Sequence, residues 1–228
     1  MNTALIIGAS RGLGLGLAEE YLKRGWCVIA TMRGKARTGL NDLADRRADH
    51  LEVEHLDINR SDQLAALRAR LEGRRLDLLF VNAGVTNDPG ETIADVSTEE
   101  FARIMVTNAL SPMRTVEALQ HLVPAAGAIA VMSSGLGSVA DNESGGWEIY
   151  RASKASLNTL MRSFAARCSA NPRALFVMHP GWVRTDMGGP QADLSVSESV
   201  SSVADVIAKN TGQPGLRFLD YRGRIVRW

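Results

Sequence analysis

Short apolar runs alternate with longer amphipathic segments along the whole chain, and this alternation constrains the fold more than any other feature. The runs are bounded by Gly, Asp or Asn, which is typical of strand ends, whereas the longer segments repeat apolar residues at helical spacing. Alternating elements of this kind pack as a parallel sheet with helices on both faces. The predicted strands are Thr3–Ile7, Cys27–Thr31, Leu51–His55, Leu76–Val81, Ala128–Met132, Ala174–Met178 and Arg217–Leu219. The predicted helices begin near Gly14, Asn41, Ser61, Thr98, Tyr150 and Ser197.

Length and composition narrow the class of protein further. A chain of 228 residues matches one α/β domain, so we expect a single domain over residues 1–228. The formal net charge of +1 provides no overall attraction to nucleic acid or to an anionic membrane. Cys27 and Cys168 form no CxxC pair and no histidines cluster, so no metal site is predicted. No run reaches the ~20 apolar residues of a spanning helix, and we expect a cytoplasmic protein.

A glycine-rich segment follows the first predicted strand and opens the first helix. It reads Gly8-Ala9-Ser10-Arg11-Gly12-Leu13-Gly14, a GxxxGxG spacing that differs from the general GxGxxG fingerprint of dinucleotide sites. Glycines there permit a tight turn and close backbone approach, and a helix N-terminus offers amide groups to a pyrophosphate. The segment is therefore a candidate dinucleotide site. On the glycines alone, a structural turn without a ligand is the alternative.

The end of the second strand indicates which dinucleotide is preferred. Proteins that bind NAD usually place a carboxylate there for the ribose hydroxyl, but this chain has Thr31-Met32-Arg33. Arg33, helped by Arg11 or Ser10, would instead accept a 2′-phosphate through charge-assisted hydrogen bonds. NADP(H) is thus favoured, and NAD(H) stays possible. The alternative is that Arg33 is only an exposed loop cation.

Tyr150 and Lys154 are four residues apart, so both project from one face of a helix. An unperturbed tyrosine pKa of about 10 makes a poor acid or base near neutrality. A nearby ammonium and a positively charged nicotinamide ring would stabilise the phenolate and lower that pKa. An exposed i,i+4 helix pair is the alternative.

A proline interrupts the helix that begins at Thr98. Pro112 lacks an N–H and clashes with the carbonyl four residues earlier, so the Asn108 carbonyl loses its helical partner. A free carbonyl in mid-helix is available to a water or a ligand.

These segments, taken in order, resemble the motif series of the short-chain dehydrogenase/reductase family. The sequences of the C-terminal tail and of the loops are similar to those of the branch of C-factor and sniffer-like carbonyl reductases. The series comprises Gly8 to Gly14, Asp57, Asn82-Ala83-Gly84, Asn108, Ser133-Ser134, Tyr150-Arg151-Ala152-Ser153-Lys154 and Pro180-Gly181-Trp182-Val183-Arg184-Thr185.

The resemblance implies a role for each catalytic position. Tyr150 would be the general acid/base, Lys154 would bind the nicotinamide ribose and lower the tyrosine pKa, and Ser134 would hydrogen-bond the substrate oxygen. Asn108 would hold a water that links Lys154 to solvent.

The resemblance also implies a set of cofactor-binding residues. Asp57 and Ile58 would flank adenine, and Val183 and Thr185 would contact the carboxamide. The alternatives are structural, because Asp and Asn often cap strand ends and Thr often caps helices. The full implied set is Gly8, Ser10, Arg11, Gly12, Leu13, Gly14, Arg33, Asp57, Ile58, Asn82, Ala83, Gly84, Tyr150, Lys154, Pro180, Gly181, Val183 and Thr185.

Two departures from the family pattern affect these assignments. Ile7 stands where threonine is usual before the first glycine, which removes one hydrogen bond from the turn. The gap from Ser134 to Tyr150 is longer than usual, through the stretch 140–147, and this leaves Ser133 or Ser138 as alternatives to Ser134.

The expected fold is a single-domain, Rossmann-type, doubly wound α/β sheet of about seven mostly parallel strands in the order 3-2-1-4-5-6-7. The expected function is NADP(H)-dependent oxidoreduction of a small carbonyl or alcohol substrate, with a homodimer or homotetramer as the assembly. A catalytically weak, dinucleotide-binding signalling protein of the C-factor kind is the alternative. A serine hydrolase is disfavoured because no GxSxG elbow is present.

Overall fold

The structure is a computed structural model that describes residues 1–168, 170 and 172–228. Strands and helices alternate through these residues, as the sequence predicts. The strands are β1 (Thr3–Ile7), β2 (Cys27–Met32), β3 (Leu51–His55), β4 (Leu78–Val81), β5 (Ala128–Met132), β6 (Ala174–His179) and β7 (Gly215–Asp220). The α-helices are α1 (Gly12–Lys23), α2 (Gly39–Arg46), α3 (Ser61–Leu71), α4 (Thr98–Met105), α5 (Ser111–Leu119), α6 (Glu148–Arg167) and α7 (Val196–Asn210).

The seven strands form one sheet in the order β3-β2-β1-β4-β5-β6-β7, and every pairing between them is parallel. This confirms the expected Rossmann-type fold and strand order. Four strands differ in their bounds from the prediction: β2 and β6 extend one residue further, to Met32 and His179, and β7 covers Gly215–Asp220. The fourth, β4, begins at Leu78 and not at Leu76, because the Leu76 N–H bonds to the Leu122 carbonyl outside the sheet, at 2.9 Å.

Alternate residues of each strand enter two different cores. On β1, Ala4 and Ile6 pack under α1, α2 and α7, whereas Leu5 and Ile7 pack under α3, α5 and α6. This follows from the period of two along a strand, which points successive side chains to opposite faces. Since helices cover both faces, the central strands are apolar throughout their length.

The long helical segment that contains Asn108 is not a regular α-helix. Between α4 and α5 the chain makes a π turn over Val106–Leu110, in which the Ser111 N–H bonds to the carbonyl of Val106, five residues earlier. Pro112 then falls in the first turn of α5, where a backbone N–H is not needed. The predicted irregularity at the proline is therefore present, in the form of one wide turn.

The strand order reverses between β1 and β4, with β2 and β3 on one side and β5, β6 and β7 on the other. In doubly wound sheets, ligands bind in the crevice at the carboxyl ends of the strands beside this point. Within the described residues, no helix has both the length and the hydropathy that crossing a bilayer requires.

Candidate active site

The glycine-rich segment forms the turn from β1 into α1, directly at the point where the strand order reverses. Gly8 has φ = +85°, and a Cβ built on it would lie 2.8 Å from Cα of Ala83. The Asn82 side chain donates from Nδ2 to the Gly8 carbonyl at 2.8 Å. Asn82 and Ala83 thus pack directly against the turn and fix its shape from β4.

A threonine from the neighbouring strand hydrogen-bonds the glycine-rich turn. The Gly8 N–H donates to Oγ1 of Thr31 at 2.9 Å, and Thr31 is buried at the end of β2. In the parallel register Ala30 lies beside Ile6, so Thr31 comes next to the turn. Ile7 itself contributes no side-chain bond to the turn, as expected of an apolar residue, but the turn receives one from β2.

This bond gives a direct stability prediction. Thr31→Val keeps the side-chain shape but leaves the Gly8 N–H without its acceptor, which costs about 1–3 kcal/mol for a buried group. We expect the free energy of unfolding, measured by urea denaturation, to fall by that amount. Thr31→Ser retains the hydroxyl and should lose less. Equal urea midpoints for the wild type and Thr31→Val would show that the bond does not stabilise the turn.

The cations proposed for a 2′-phosphate lie at the same end of the sheet. Arg33 directly follows β2 and is exposed, and no ion pair of Arg33 occurs within the described part of the chain. Arg11 precedes α1, is also exposed, and pairs with Asp186. Ser10 and Leu13 are partly buried within the turn.

In the segment after β3, Asp57 has the structural role that was given as the alternative to binding adenine, which is to cap the strand end. Asp57 Oδ1 accepts the Asn59 N–H at 3.0 Å, which closes a local turn. Ile58 is 9% exposed and belongs to the core on the α3 face. These contacts leave the second carboxylate oxygen of Asp57 available and do not test contact with adenine.

Asn108 and Lys154 both approach Gly84 on the side where a Cβ would lie. A Cβ built on Gly84 would lie 3.3 Å from both Asn108 Oδ1 and Lys154 Nζ. The Asn108 side chain accepts the Val85 N–H at 2.8 Å, and it donates to the Val85 carbonyl at 2.8 Å and to Ser153 Oγ at 2.9 Å. Asn108 is therefore fixed between the chain after β4 and helix α6.

Of the three candidate serines, only Ser134 reaches Tyr150. Ser134 follows β5, accepts the Leu136 N–H at 3.1 Å and lies near enough to the Tyr150 phenol to lower its pKa. Ser133 is buried and donates to Asn158 Oδ1 at 2.7 Å, whereas Ser138 accepts the Asp141 N–H at 3.1 Å. The alternatives are thus engaged in structural bonds, which favours Ser134.

Burial dominates the acid–base properties of Tyr150 and Lys154. Burial raises the pKa of Tyr150 to about 12, and the nearby Ser134 opposes it only in part. The same cause lowers the pKa of Lys154 to about 8. The ammonium donates to the Met132 carbonyl at 2.9 Å and lies 5.7 Å from the centre of the Tyr150 ring. In the protein alone the pKa of Tyr150 is thus raised by desolvation, and the expected lowering by an ammonium together with a nicotinamide ring stays a prediction for the complex.

The segment after β6 returns to the glycine-rich turn. A Cβ on Gly12 would lie 3.7 Å from Cγ2 of Thr185. Thr185 Oγ1 accepts the Gly188 N–H at 3.1 Å, so Thr185 caps a short turn, and Val183 is buried and bridges to Leu194. The preceding Pro180 carbonyl accepts from Ser199 at 2.7 Å, and Gly181 has φ = +84°.

Four residues that shape the site were not predicted. Thr31 and the Met132 carbonyl have no motif signal, although Thr31 stands at a strand end level with the glycine turn. Arg151 and Trp147 flank Tyr150 in the sequence, and their contacts depend on a loop conformation that no local pattern indicates.

The sequence profile of the family described as "short chain dehydrogenase" matches residues 2–195, most of the chain. The chain belongs to the short-chain dehydrogenase family. The match includes the glycine-rich turn, Asn108, Ser134 and the Tyr150–Lys154 pair, and so accounts for the convergence of these residues at one edge of the sheet.

Individual short-chain dehydrogenases are similar over most or all of the chain. A short-chain dehydrogenase/reductase of Burkholderia multivorans with bound NADP is 57% identical with a TM-score of 0.98, covering 100% of this chain and 99% of that one. The carbonyl reductase Sniffer of D. melanogaster is 31% identical with a TM-score of 0.91, and both chains are covered in full. The C-signal protein of Myxococcus xanthus is 37% identical over 67% of this chain and 93% of its own. These relatives confirm the resemblance to C-factor and sniffer-like proteins.

The site of this short-chain dehydrogenase has the shape that a dinucleotide needs. Gly8 and Gly14 leave no space for a Cβ, so the turn packs closely against β4. The N-terminus of α1, which follows directly, is where backbone amides can bind a pyrophosphate. The exposed cations Arg11 and Arg33 lie beside it, and Gly84 lies beside the Lys154 ammonium. These residues fit a pyrophosphate, a phosphorylated ribose and a nicotinamide ribose.

Proposed function

We propose that this protein is an NADP(H)-dependent carbonyl reductase, with Tyr150 as the general acid. The observation that carries the proposal is the convergence of Ser134, Tyr150, Lys154 and Asn108 beside the glycine-rich turn, with the Tyr150 phenol held protonated by burial. A phenol that keeps its proton near neutral pH is suited to protonate a carbonyl oxygen during reduction. It is less suited to remove a proton from an alcohol during oxidation.

The proposed cofactor would lie along the carboxyl edge of the sheet. The amides of the Gly8–Gly14 turn would hold the pyrophosphate, Arg33 and Arg11 the 2′-phosphate, and Lys154 the nicotinamide ribose. Thr185 and Val183 would hold the carboxamide. When bound, NADPH supplies a hydride to the carbonyl carbon.

Tyr150 and Ser134 act on the substrate oxygen. Ser134 donates a hydrogen bond to it, and Tyr150 transfers its phenolic proton as the carbon–oxygen double bond is reduced to an alcohol. This leaves a phenolate in a buried site, where charge is costly. The Lys154 ammonium, 5.7 Å from the Tyr150 ring centre, stabilises that charge and returns a proton to the phenolate. Asn108, beside Gly84, would hold a water that links Lys154 to solvent.

The direct test is an NADPH-oxidation assay over a panel of aldehydes, diketones and quinones. We expect substrate-dependent oxidation with at least one class and formation of the matching alcohol. Absence of turnover over the whole panel, with tight NADPH binding, would contradict the proposed reaction and leave a dinucleotide-binding role.

Cofactor preference depends on Arg33 in this proposal. Arg33→Gln removes the cation but keeps a polar side chain, and one charge-assisted hydrogen bond is worth about 1.5–3 kcal/mol. We expect the Kd for NADPH to rise about 10–100-fold and the Kd for NADH to stay within twofold, both measured by calorimetric titration. Arg114→Gln, an exposed site on α5, is the control. Equal losses of affinity for NADPH and NADH would show that Arg33 does not bind the 2′-phosphate.

The similarity to C-signal supports one alternative, a dinucleotide-binding signalling protein with weak turnover. The complete Ser134–Tyr150–Lys154 set favours the enzyme, because a binding protein has no need of a buried phenol beside an ammonium. Fold alone does not decide between the two.

A further inference from the structure

Three successive residues before the catalytic tyrosine adopt left-handed backbone conformations. Gly145, Gly146 and Trp147 have φ values of +64°, +65° and +53°, and Trp147 is the one residue other than glycine with positive φ in the described part of the chain. A large side chain is unfavourable in this region and persists only where the surroundings impose it. Some contact must therefore hold Trp147 in place.

The Trp147 N–H donates to the Pro89 carbonyl at 3.4 Å, and the Arg151 guanidinium holds the three residues directly before Trp147. It donates from Nε to the Gly146 carbonyl at 2.9 Å and from Nη2 to the Gly145 carbonyl and the Ser144 hydroxyl, at 3.1 and 3.0 Å. Arg151 is only 8% exposed, and none of the ion pairs among the described residues includes it. A buried guanidinium engaged wholly by loop oxygens fixes the conformation of the loop, since its fork geometry matches several acceptors at once.

The result is an aromatic side chain placed beside the proton donor. The Trp147 ring centre lies 5.9 Å from that of Tyr150 with an interplanar angle of 64°, an edge-to-face arrangement. The Arg151 N–H also bonds to the Trp147 carbonyl at 2.8 Å. Trp147 remains partly exposed, so part of its indole is available to another molecule.

The segment that carries Trp147 presents a second apolar side chain. Val139, five residues after Ser134, is 73% exposed. The segment 138–147 therefore lies between Ser134 and Tyr150 in the sequence. It carries an exposed apolar side chain, Val139, near one end and the partly exposed Trp147 at the other.

We propose that Trp147 forms a wall of the substrate pocket, that Arg151 is its positioning residue, and that the pair selects carbonyl compounds with a flat aromatic group on the carbonyl carbon. This rests on the proposed function. A substrate whose oxygen accepts the Tyr150 proton must place the substituents of its carbonyl carbon close to the phenol. The indole is within reach there, and aromatic rings pair favourably at such separations.

The first test compares benzaldehyde with propanal. Trp147→Gly removes the indole and places glycine where the backbone is left-handed, so the fold is not strained by the change. We expect the ratio of kcat/KM for benzaldehyde over propanal to fall about tenfold, mainly through KM for benzaldehyde. The Kd for NADPH should not change. An unchanged ratio in an active, folded variant would overturn the specificity role of Trp147.

The second test asks whether Arg151 acts through Trp147. Arg151→Met keeps a long side chain without the donors, and Arg114→Met is the matched control. We expect Arg151→Met to lower the same ratio, and the Arg151→Met/Trp147→Gly double variant to match Trp147→Gly alone. Additive losses in the double variant would show that Arg151 acts independently and would overturn its positioning role.

Proteolysis separates failure of this inference from failure of the proposed function. A glutamyl endopeptidase should cleave after the exposed Glu143 several-fold faster in Arg151→Met than in the wild type or Arg114→Met, as read by mass spectrometry. If the wild type reduces neither aldehyde, the proposed function and the proposed selectivity are both refuted. If Arg151→Met is nevertheless cleaved faster, the positioning role of Arg151 is still supported. Equal cleavage rates would overturn the positioning whatever the activity.

Discussion

Replacing Tyr150 with phenylalanine is expected to lower kcat for carbonyl reduction by about 10²–10⁴-fold. The phenol is the proton donor in the proposed reaction, and among the described residues no other titratable side chain is seen to bond Ser134. Because the ring remains, its packing against Trp147 and the position of Lys154 should be preserved. The measurement is single-turnover NADPH oxidation, with cofactor affinity determined separately by titration.

Tyr21→Phe is the matched control for this prediction. The Tyr21 hydroxyl is buried on α1 without a hydrogen-bond partner among the described residues, so its removal should change neither stability nor turnover appreciably. A Tyr150→Phe variant that keeps wild-type turnover would contradict the acid role. A biological effect that persists in Tyr150→Phe would favour the signalling alternative.

Gly14→Ala is expected to abolish measurable dinucleotide binding and to destabilise the protein by about 1–3 kcal/mol, the usual cost of overpacking. A Cβ at this position would lie 2.0 Å from the Gly8 carbonyl oxygen and 2.6 Å from Asn82 Nδ2. The first of these neighbours is backbone and cannot rotate away. The turn must therefore open, and opening it moves the amides that would hold the pyrophosphate.

Gly90→Ala provides the comparison, because its Cβ would meet only Asp88 Oδ1 at an ordinary 3.5 Å and its φ is not positive. Thermal unfolding and NADPH titration of the two variants separate a general effect of alanine from the local clash. If Gly14→Ala binds NADPH as the wild type does, the turn does not form the dinucleotide site.

The sequence predicted most of the fold because the alternation of apolar runs and helical periodicity is a property of consecutive residues. The site residues were implied by the resemblance to the family's motif series, and the structure brings two of them, Asn108 and Lys154, together beside Gly84. The expected patterns and the observed positions agree for Gly8, Asn82 and Tyr150, which lie on regular elements or at their ends.

The remaining features depend on contacts between distant segments. The Gly8–Thr31 bond joins two strands through their register, and the Arg151 bonds depend on the left-handed loop before α6. The raised pKa of Tyr150 in the protein alone was not predicted for the same reason. The proximity of Lys154 follows from the spacing, whereas the burial that raises the Tyr150 pKa results from packing.

The π turn at Val106–Leu110 lets one long helical segment serve two surfaces. An α-helix advances its side chains by about 100° per residue, so an unbroken helix from Thr98 to Leu119 would hold one fixed angle between any two positions. The wide turn adds a rotational offset between its two halves. Ile104 stays wholly buried in the interior, and Asn108 is aimed at Val85 and Ser153. The residue that packs the helix and the residue that faces the chemistry are thereby oriented independently of each other.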